Sequence, residues 1–156
     1  MPRSVLRRWV LAGVVVCAVF AGPVAVAQAT DNDIRATLNA SGQKIYNDEQ
    51  AIKKGLAKYR TTSKPLVRAL KHEVSDLTSL RKVLRHESAS SAKGRKAKKE
   101  IVTGLELIAN AYSALRADIL AVHGGAVPAS QVDAAVATDH TGQKKLKAGL
   151  KLLKTT

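Results

Sequence analysis

A histidine beside a carboxylate can bind a metal ion or transfer a proton, and this chain repeats that pair. The segment LKHE at 70–73 returns fourteen residues later as LRHE at 84–87. In a helix, His72 and His86 would share one side but lie about 21 Å apart along the axis, too far to share one ion. Only His72 has a carboxylate one turn further on, Asp76. We interpret the repeat as two heptads of an exposed helix face and keep His72 and Asp76 as candidate metal ligands.

A second histidine–carboxylate pair, Asp139 and His140, lies in the last helical segment. Helical counting puts Asp139 near the core line, together with Gln143 and, in the first segment, Ser41 and Asp48. Such a layer would either fix helix register, mark a wet and frayed region, or line a pocket for a small ligand or cation. No nucleophile accompanies the pair, so catalytic residues and cofactors are not predicted. The candidate metal ligands are His72, Asp76, Asp139 and His140.

Basic residues cluster at the predicted start of the third helix, where positive charge opposes the helix dipole. This placement favours binding to an external polyanion, and the alternative is a role in solubility alone. The C-terminal segment is also basic and amphipathic, which is typical of a membrane-surface helix or of a bundle seam with a lysine-rich outer face. The predicted polyanion-binding residues are Lys93, Arg95, Lys96, Lys98, Lys99, Lys144, Lys145 and Lys147.

The whole chain supports an interaction with anions. Its 156 residues include 26 Lys and Arg against 12 Asp and Glu, a formal net charge of +14. The expected partners are anionic surface polymers, lipid headgroups or an acidic protein. Beyond the first 29 residues the aromatic side chains are Tyr46, Tyr59 and Tyr112. Because single-stranded nucleic acids are bound on aromatic stacking platforms, sequence-specific recognition of nucleic acid is not expected.

The first 29 residues are typical of a signal peptide. Arg3, Arg7 and Arg8 precede an apolar run at 9–21, and Gly22-Pro23 and small residues follow. The run is shorter than the roughly 20 residues of a spanning helix, so cleavage after Ala29 is favoured over a membrane anchor. Cleavage would remove the only cysteine, Cys17, and lower the net charge to +11, since 23 basic residues remain against 12 acidic ones. The predicted location is secreted or periplasmic, in the cell-envelope space.

Residues 30–156 are predicted to form one domain, an all-α antiparallel up-down four-helix bundle. Apolar residues recur at spacings of three and four over about 31–60, 64–87, 92–123 and 130–154, and no segment alternates with period two. The near-heptad spacing is coiled-coil-like. Segment 138–142 is poor in helix formers, which predicts a kink or short break. The alternative is therefore three long helices with a loose or broken fourth.

Together these features predict an exported, non-enzymatic helical bundle that associates through a basic surface with anionic envelope material or an acidic partner. The alternative is an extracytoplasmic bundle that binds a small ligand or a metal in its interior. The two hypotheses differ in where the functional residues lie, because the first requires exposed lysines and the second requires convergent buried groups.

Overall fold

The computed structural model describes residues 29–58 and 64–154. This part of the chain forms four α-helices: α1 at Ala29–Lys58, α2 at Lys64–His86, α3 at Ala92–Ala121 and α4 at Ala129–Lys154. The predicted all-α four-helix bundle is confirmed. In these ranges no helix is long and apolar enough to cross a bilayer. The predicted signal peptide, apart from its last residue, lies outside the described residues, as does Cys17.

Successive helices pack against each other, α1 on α2, α2 on α3 and α3 on α4. The first and last helices also meet, because the Arg35 guanidinium near the start of α1 donates to the Leu153 carbonyl near the end of α4. The chain therefore runs up and down with both ends of the domain at one end of the bundle. The core is filled by aliphatic side chains from all four helices, with Tyr112 as its aromatic member: Ile34, Leu38, Ile45, Ile52, Leu66, Leu70, Leu77, Leu80, Leu84, Ile101, Leu105, Ile108, Tyr112, Leu115, Ile119, Val132, Leu146, Leu150 and Leu153.

Helices α3 and α4 approach more closely than large side chains would allow. A Cβ atom built on Gly104 would lie 2.6 Å from the Leu146 amide nitrogen and 2.7 Å from the Gly142 carbonyl oxygen. Gly149 meets the Ala97 carbonyl oxygen in the same way, at 2.7 Å. Both helices carry small buried residues at seven-residue intervals, so the contact repeats along the interface: Ala97, Gly104 and Ala111 on α3, and Ala135, Gly142 and Gly149 on α4.

The predicted short break in the last helix is wrong, because α4 is continuous through residues 138–142. Two hydroxyl groups bond back to carbonyl oxygens one turn earlier: Thr138 Oγ1 donates to Ala134 at 3.0 Å and Thr141 Oγ1 donates to Ala137 at 2.9 Å. These polar groups are thereby satisfied within the helix. Gly142, the poorest helix former of the segment, is buried where α4 contacts α3. Tertiary packing thus overrides the low helix propensity.

Candidate functional site

The structure brings the two predicted basic segments together. Gly149 of α4 lies against Ala97 and Ile101 of α3, and Lys145 forms a 3.0 Å ion pair with Glu100. The start of α3 and the end of α4 therefore run side by side in opposite directions. Apart from the ion-paired Lys145, five of the predicted lysines are exposed, and we call them the basic surface: Lys93, Lys96, Lys99, Lys144 and Lys147.

The other three predicted residues are engaged within the fold. Lys98 Nζ donates to the Arg85 carbonyl at 2.8 Å and also to the Glu87 carbonyl, which satisfies acceptors at the end of α2. Arg95 Nη1 donates to the Ser90 carbonyl at 3.0 Å in the α2–α3 turn. Lys145 is held by its ion pair with α3. Their charges add to the local potential, but their side chains have structural partners.

A buried carboxylate lies beneath the basic segment of α3. Asp31 is 1 % exposed and accepts hydrogen bonds from the Ser90 amide at 3.2 Å and the Ser91 hydroxyl at 2.7 Å. Ser91 is the N-cap of α3 and accepts the Gly94 amide at 2.8 Å. A negative charge at a helix start is favourable, so Asp31 offsets the positive charge that opposes the α3 dipole. Part of the charge conflict expected from the sequence is thus resolved inside the fold.

A set of buried acids occupies the interior of the bundle. Glu49 of α1, Glu73 of α2 and Asp139 of α4 are each at most 3 % exposed, and Gln143 Nε2 donates to Asp139 Oδ2 at 2.9 Å. We call these three carboxyl groups the acid layer. Sequence counting had placed Asp48 and Ser41 near the core line of α1, but both are half-buried and Glu49 is buried instead.

Burial controls the protonation of the acid layer. It raises the pKa of Glu73 to about 9, with a smaller contribution from the charges of Asp48, Glu49, Asp76 and Asp139. It also raises the pKa of Asp139 to about 7, against the lowering effect of the Gln143 hydrogen bond. The pKa of Tyr112 is raised for the same reason, with the nearby acids adding to the effect. Glu73 is therefore neutral in the folded protein at neutral pH.

A second group of polar residues joins α1 to α2 nearer the surface. Lys44 Nζ forms a 2.6 Å ion pair with Asp76 Oδ1, and this hydrogen bond raises the pKa of Lys44. Partial burial and a hydrogen bond with Asp76 raise the pKa of Asp48, while His72 and Lys44 lower it. The Asp76 carboxylate is therefore paired with the ammonium group of Lys44.

The candidate metal ligands are not brought together. His72 and His140 are exposed, Asp76 is paired with Lys44, and Asp139 is buried and hydrogen-bonded to Gln143. The described residues contain no group of three or more His, Cys, Asp or Glu side chains that could hold a metal ion. Asp139 and His140 also differ in burial, so these neighbours do not form a dyad.

The repeated LKHE motif has two different environments. Both histidines are exposed, but Glu73 belongs to the acid layer while Glu87 is half-buried and accepts a 3.2 Å hydrogen bond from Thr37 Oγ1. The repeat is therefore not a uniformly exposed face.

Comparison with known proteins does not assign a function to the basic surface or to the acid layer. No family model matches the chain, and neither curated proteins nor solved structures include a significant match.

Proposed function

We propose that this protein is a non-enzymatic helical bundle, active outside the cytoplasm, that associates with anionic material of the cell envelope or with an acidic partner. The contact is the basic surface. The observation that carries the proposal is the meeting of five exposed lysines from two sequence segments on adjoining ends of α3 and α4. The signal-like sequence at 1–29 supports the location.

Exposed lysines bind through long-range charge rather than through a shaped pocket. Such interactions are screened over about 10 Å at 0.1 M salt and about 3 Å at 1 M salt. Binding should therefore fall steeply with ionic strength. Near an anionic membrane each basic residue contributes about 1 kcal/mol, so three lysines together change the partitioning on the order of a hundredfold.

The test is co-sedimentation of the purified protein with vesicles of phosphatidylglycerol and phosphatidylcholine, with pure phosphatidylcholine vesicles and with isolated wall polymer, over a salt series. We expect pelleting with the anionic particles at low salt and release at high salt. Absence of pelleting at low salt with every anionic particle, including an acidic protein immobilised on beads, would contradict the proposal.

Two triple variants locate the contact. The first, Lys93→Gln, Lys96→Gln and Lys99→Gln, removes three charges from the basic surface and spares the residues that bond within the fold. The matched control, Lys64→Gln, Arg68→Gln and Lys71→Gln, removes three exposed charges from the first turns of α2, at the other end of the bundle. We expect the first variant to lose about a hundredfold in vesicle partitioning and the control to lose much less. Equal losses would show that net charge alone is responsible.

A further inference from the structure

At the end of the bundle opposite the basic surface, a groove of about 740 Å³ lies between the start of α2 and the end of α3. It is open to solvent and falls within the size range of small-molecule sites. Sequence reasoning missed it, because its residues are drawn from two helices and the turn that follows α3. We call it the α2–α3 groove.

The lining of the groove is basic. Among the described residues that line it there is no acid, and six carry or can carry positive charge: Lys64, Arg68, Lys71, His72, Arg116 and His123. Four of these side chains are permanently charged at neutral pH. Like charges that converge on one concave surface repel each other, and a bound anion would remove that repulsion.

Two further features favour an anion in the groove. Lys64, Arg68 and Lys71 lie in the first two turns of α2, whose first turn holds no acidic residue, so their charges add to the positive end of the helix dipole. Unlike the start of α3, where Asp31 is buried, the start of α2 has no carboxylate among the residues that line the groove. In addition, Arg116 lines the groove and its Nε atom has no hydrogen-bond partner within the described part of the chain, so this guanidinium is not fully engaged by the fold.

The lining of the groove also contains apolar residues. Val67, Ile119 and Leu120 contribute to its lining, and Leu120 is 47 % exposed although it is a large aliphatic residue. A groove lined by cationic and aliphatic side chains suits a ligand that has both an anionic group and an apolar part.

We infer that the α2–α3 groove is a binding site for a small amphiphile that bears a phosphate group. Arg68 and Arg116 supply planar guanidinium groups that can donate two parallel hydrogen bonds to phosphate oxygens, and the lysines supply additional charge. Val67, Ile119 and Leu120 contact the apolar part. This site goes beyond the proposed function, because it lies at the other end of the bundle and recognises one small molecule rather than an extended anionic surface.

The test uses phenyl phosphate as the amphiphilic probe, inorganic phosphate as the anion alone and benzyl alcohol as the apolar part alone. Titration is followed by NMR through the imidazole signals of the four histidines. His72 and His123 line the groove, whereas His86 and His140 are exposed elsewhere and serve as internal controls. We expect phenyl phosphate to shift the first two signals at saturable concentration and to leave the other two unchanged. Equal movement of all four signals, or of none, would overturn the inference.

Variants then test the two halves of the site. Lys64→Gln, Arg68→Gln and Lys71→Gln together should weaken phenyl phosphate at least tenfold, and the Lys93, Lys96 and Lys99 triple variant should leave its affinity unchanged. Leu120→Ser, at an exposed position, should weaken phenyl phosphate several-fold and leave inorganic phosphate unaffected. Equal weakening by both triple variants would overturn the groove as the site, and inorganic phosphate binding as tightly as phenyl phosphate would overturn the apolar subsite.

The source of the phosphate group is distinguished with vesicles that contain phosphatidic acid. If a lipid headgroup occupies the groove, the groove variant will lose phenyl phosphate binding and, with it, only the additional binding that phosphatidic acid vesicles give over phosphatidylglycerol vesicles. If the ligand is a soluble phosphate ester, the groove variant will keep its vesicle binding. Both results support the site, and they are separable from a failure of the basic surface, which affects vesicles without changing the titration of phenyl phosphate.

Discussion

Helix α4 meets the rest of the bundle in two different ways. Against α3 it presents glycine, so that backbone atoms of the two helices are in direct contact. Toward α1 and α2 it presents Asp139, whose neighbours include the buried carboxyl groups of Glu49 and Glu73. The glycine contact depends on the shape of the two backbones, whereas the contact around Asp139 depends on whether its acids carry protons. One helix therefore has a contact that involves no titratable group and another that pH controls.

The largest effect is expected from filling the glycine contact. In a Gly104→Val and Gly142→Val double variant the new side chains would overlap backbone atoms, which cannot rotate away, so α3 and α4 must separate. Overpacking costs about 1–3 kcal/mol at one site, and more where nothing can adjust, against a total stability of about 5–15 kcal/mol. We expect loss of cooperative thermal unfolding, measured by circular dichroism.

The control for the glycine variant is Ala114→Val with Ala137→Val, which adds the same kind of side chain to exposed positions of the same two helices. These exposed substitutions should change the free energy of unfolding by no more than about 0.5 kcal/mol each. A glycine variant that unfolds near the native midpoint would show that the close approach of α3 and α4 is not required.

The next effect is a dependence of stability on pH. Because the folded state raises the pKa of Glu73 from 4.5 to about 9, it binds a proton that the unfolded state releases above its own pKa. The contribution of Glu73 to stability is therefore fully present below about pH 4.5, falls as the pH rises, and is lost above about pH 9. Asp139 adds a similar slope between 3.8 and about 7. Urea unfolding at pH 4, 6 and 8 measures this dependence.

Glu73→Gln replaces the acid with a neutral side chain of the same shape. We expect it to leave the free energy of unfolding nearly unchanged at pH 4 and to raise it by several kcal/mol at pH 8. The reason is that folding of the native chain at pH 8 requires Glu73 to take up a proton, whereas folding of the variant does not. Glu106→Gln, at a half-exposed position of α3 in an ion pair with Arg81, is the comparison and should have a small effect at both pH values. A Glu73 variant less stable than the native protein at pH 8 would mean that the carboxylate is stabilising.

The smallest effect is expected from removing the buried Asp31 carboxylate, which bonds to the α2–α3 turn and lies against Gly94. Asp31→Ala should destabilise by about 2 kcal/mol, because it removes charged hydrogen bonds to Ser90 and Ser91. Asp33→Ala, at an exposed position one half-turn on, is the matched control. A Cβ atom on Gly94 would overlap the Asp31 carboxylate, so Gly94→Ala should cost less in the Asp31→Ala background than in the native one. Additive free energies of unfolding would rule out this contact.

Large apolar residues carried most of the sequence-level prediction of the fold. Their spacing identified the four helices and their order, and the turn signals placed the helix ends within about two residues of the observed bounds wherever those ends are described. The continuity of α4 could not be predicted, because the low propensity of residues 138–142 is overcome by a glycine contact with another helix.

Asp139 of the acid layer was predicted near the core line, but the other two acids, Glu49 and Glu73, were missed by a shift of one residue. In α2 the buried positions 66, 70, 73, 77, 80 and 84 alternate spacings of four and three, but the third of them is Glu73, and the apolar residue beside it, Val74, is only partly buried. In α1 helical counting predicts Asp48 near the core line, whereas the buried residue is its neighbour Glu49. A strict heptad count would have marked both acids as core residues. The burial of Asp31 depends on the α2–α3 turn, which no local pattern indicates.

The bond from Arg35 to the Leu153 carbonyl makes the topology nearly circular. Since the domain begins and ends at the same end of the bundle, a short linker from the end of α4 to the start of α1 would close the chain into a ring. The chain could then be reopened in the α3–α4 connection at 122–128, where His123 and Gly124 have positive φ angles of 44° and 96°. Such a circular permutant would keep every helix contact while moving the new termini beside the α2–α3 groove.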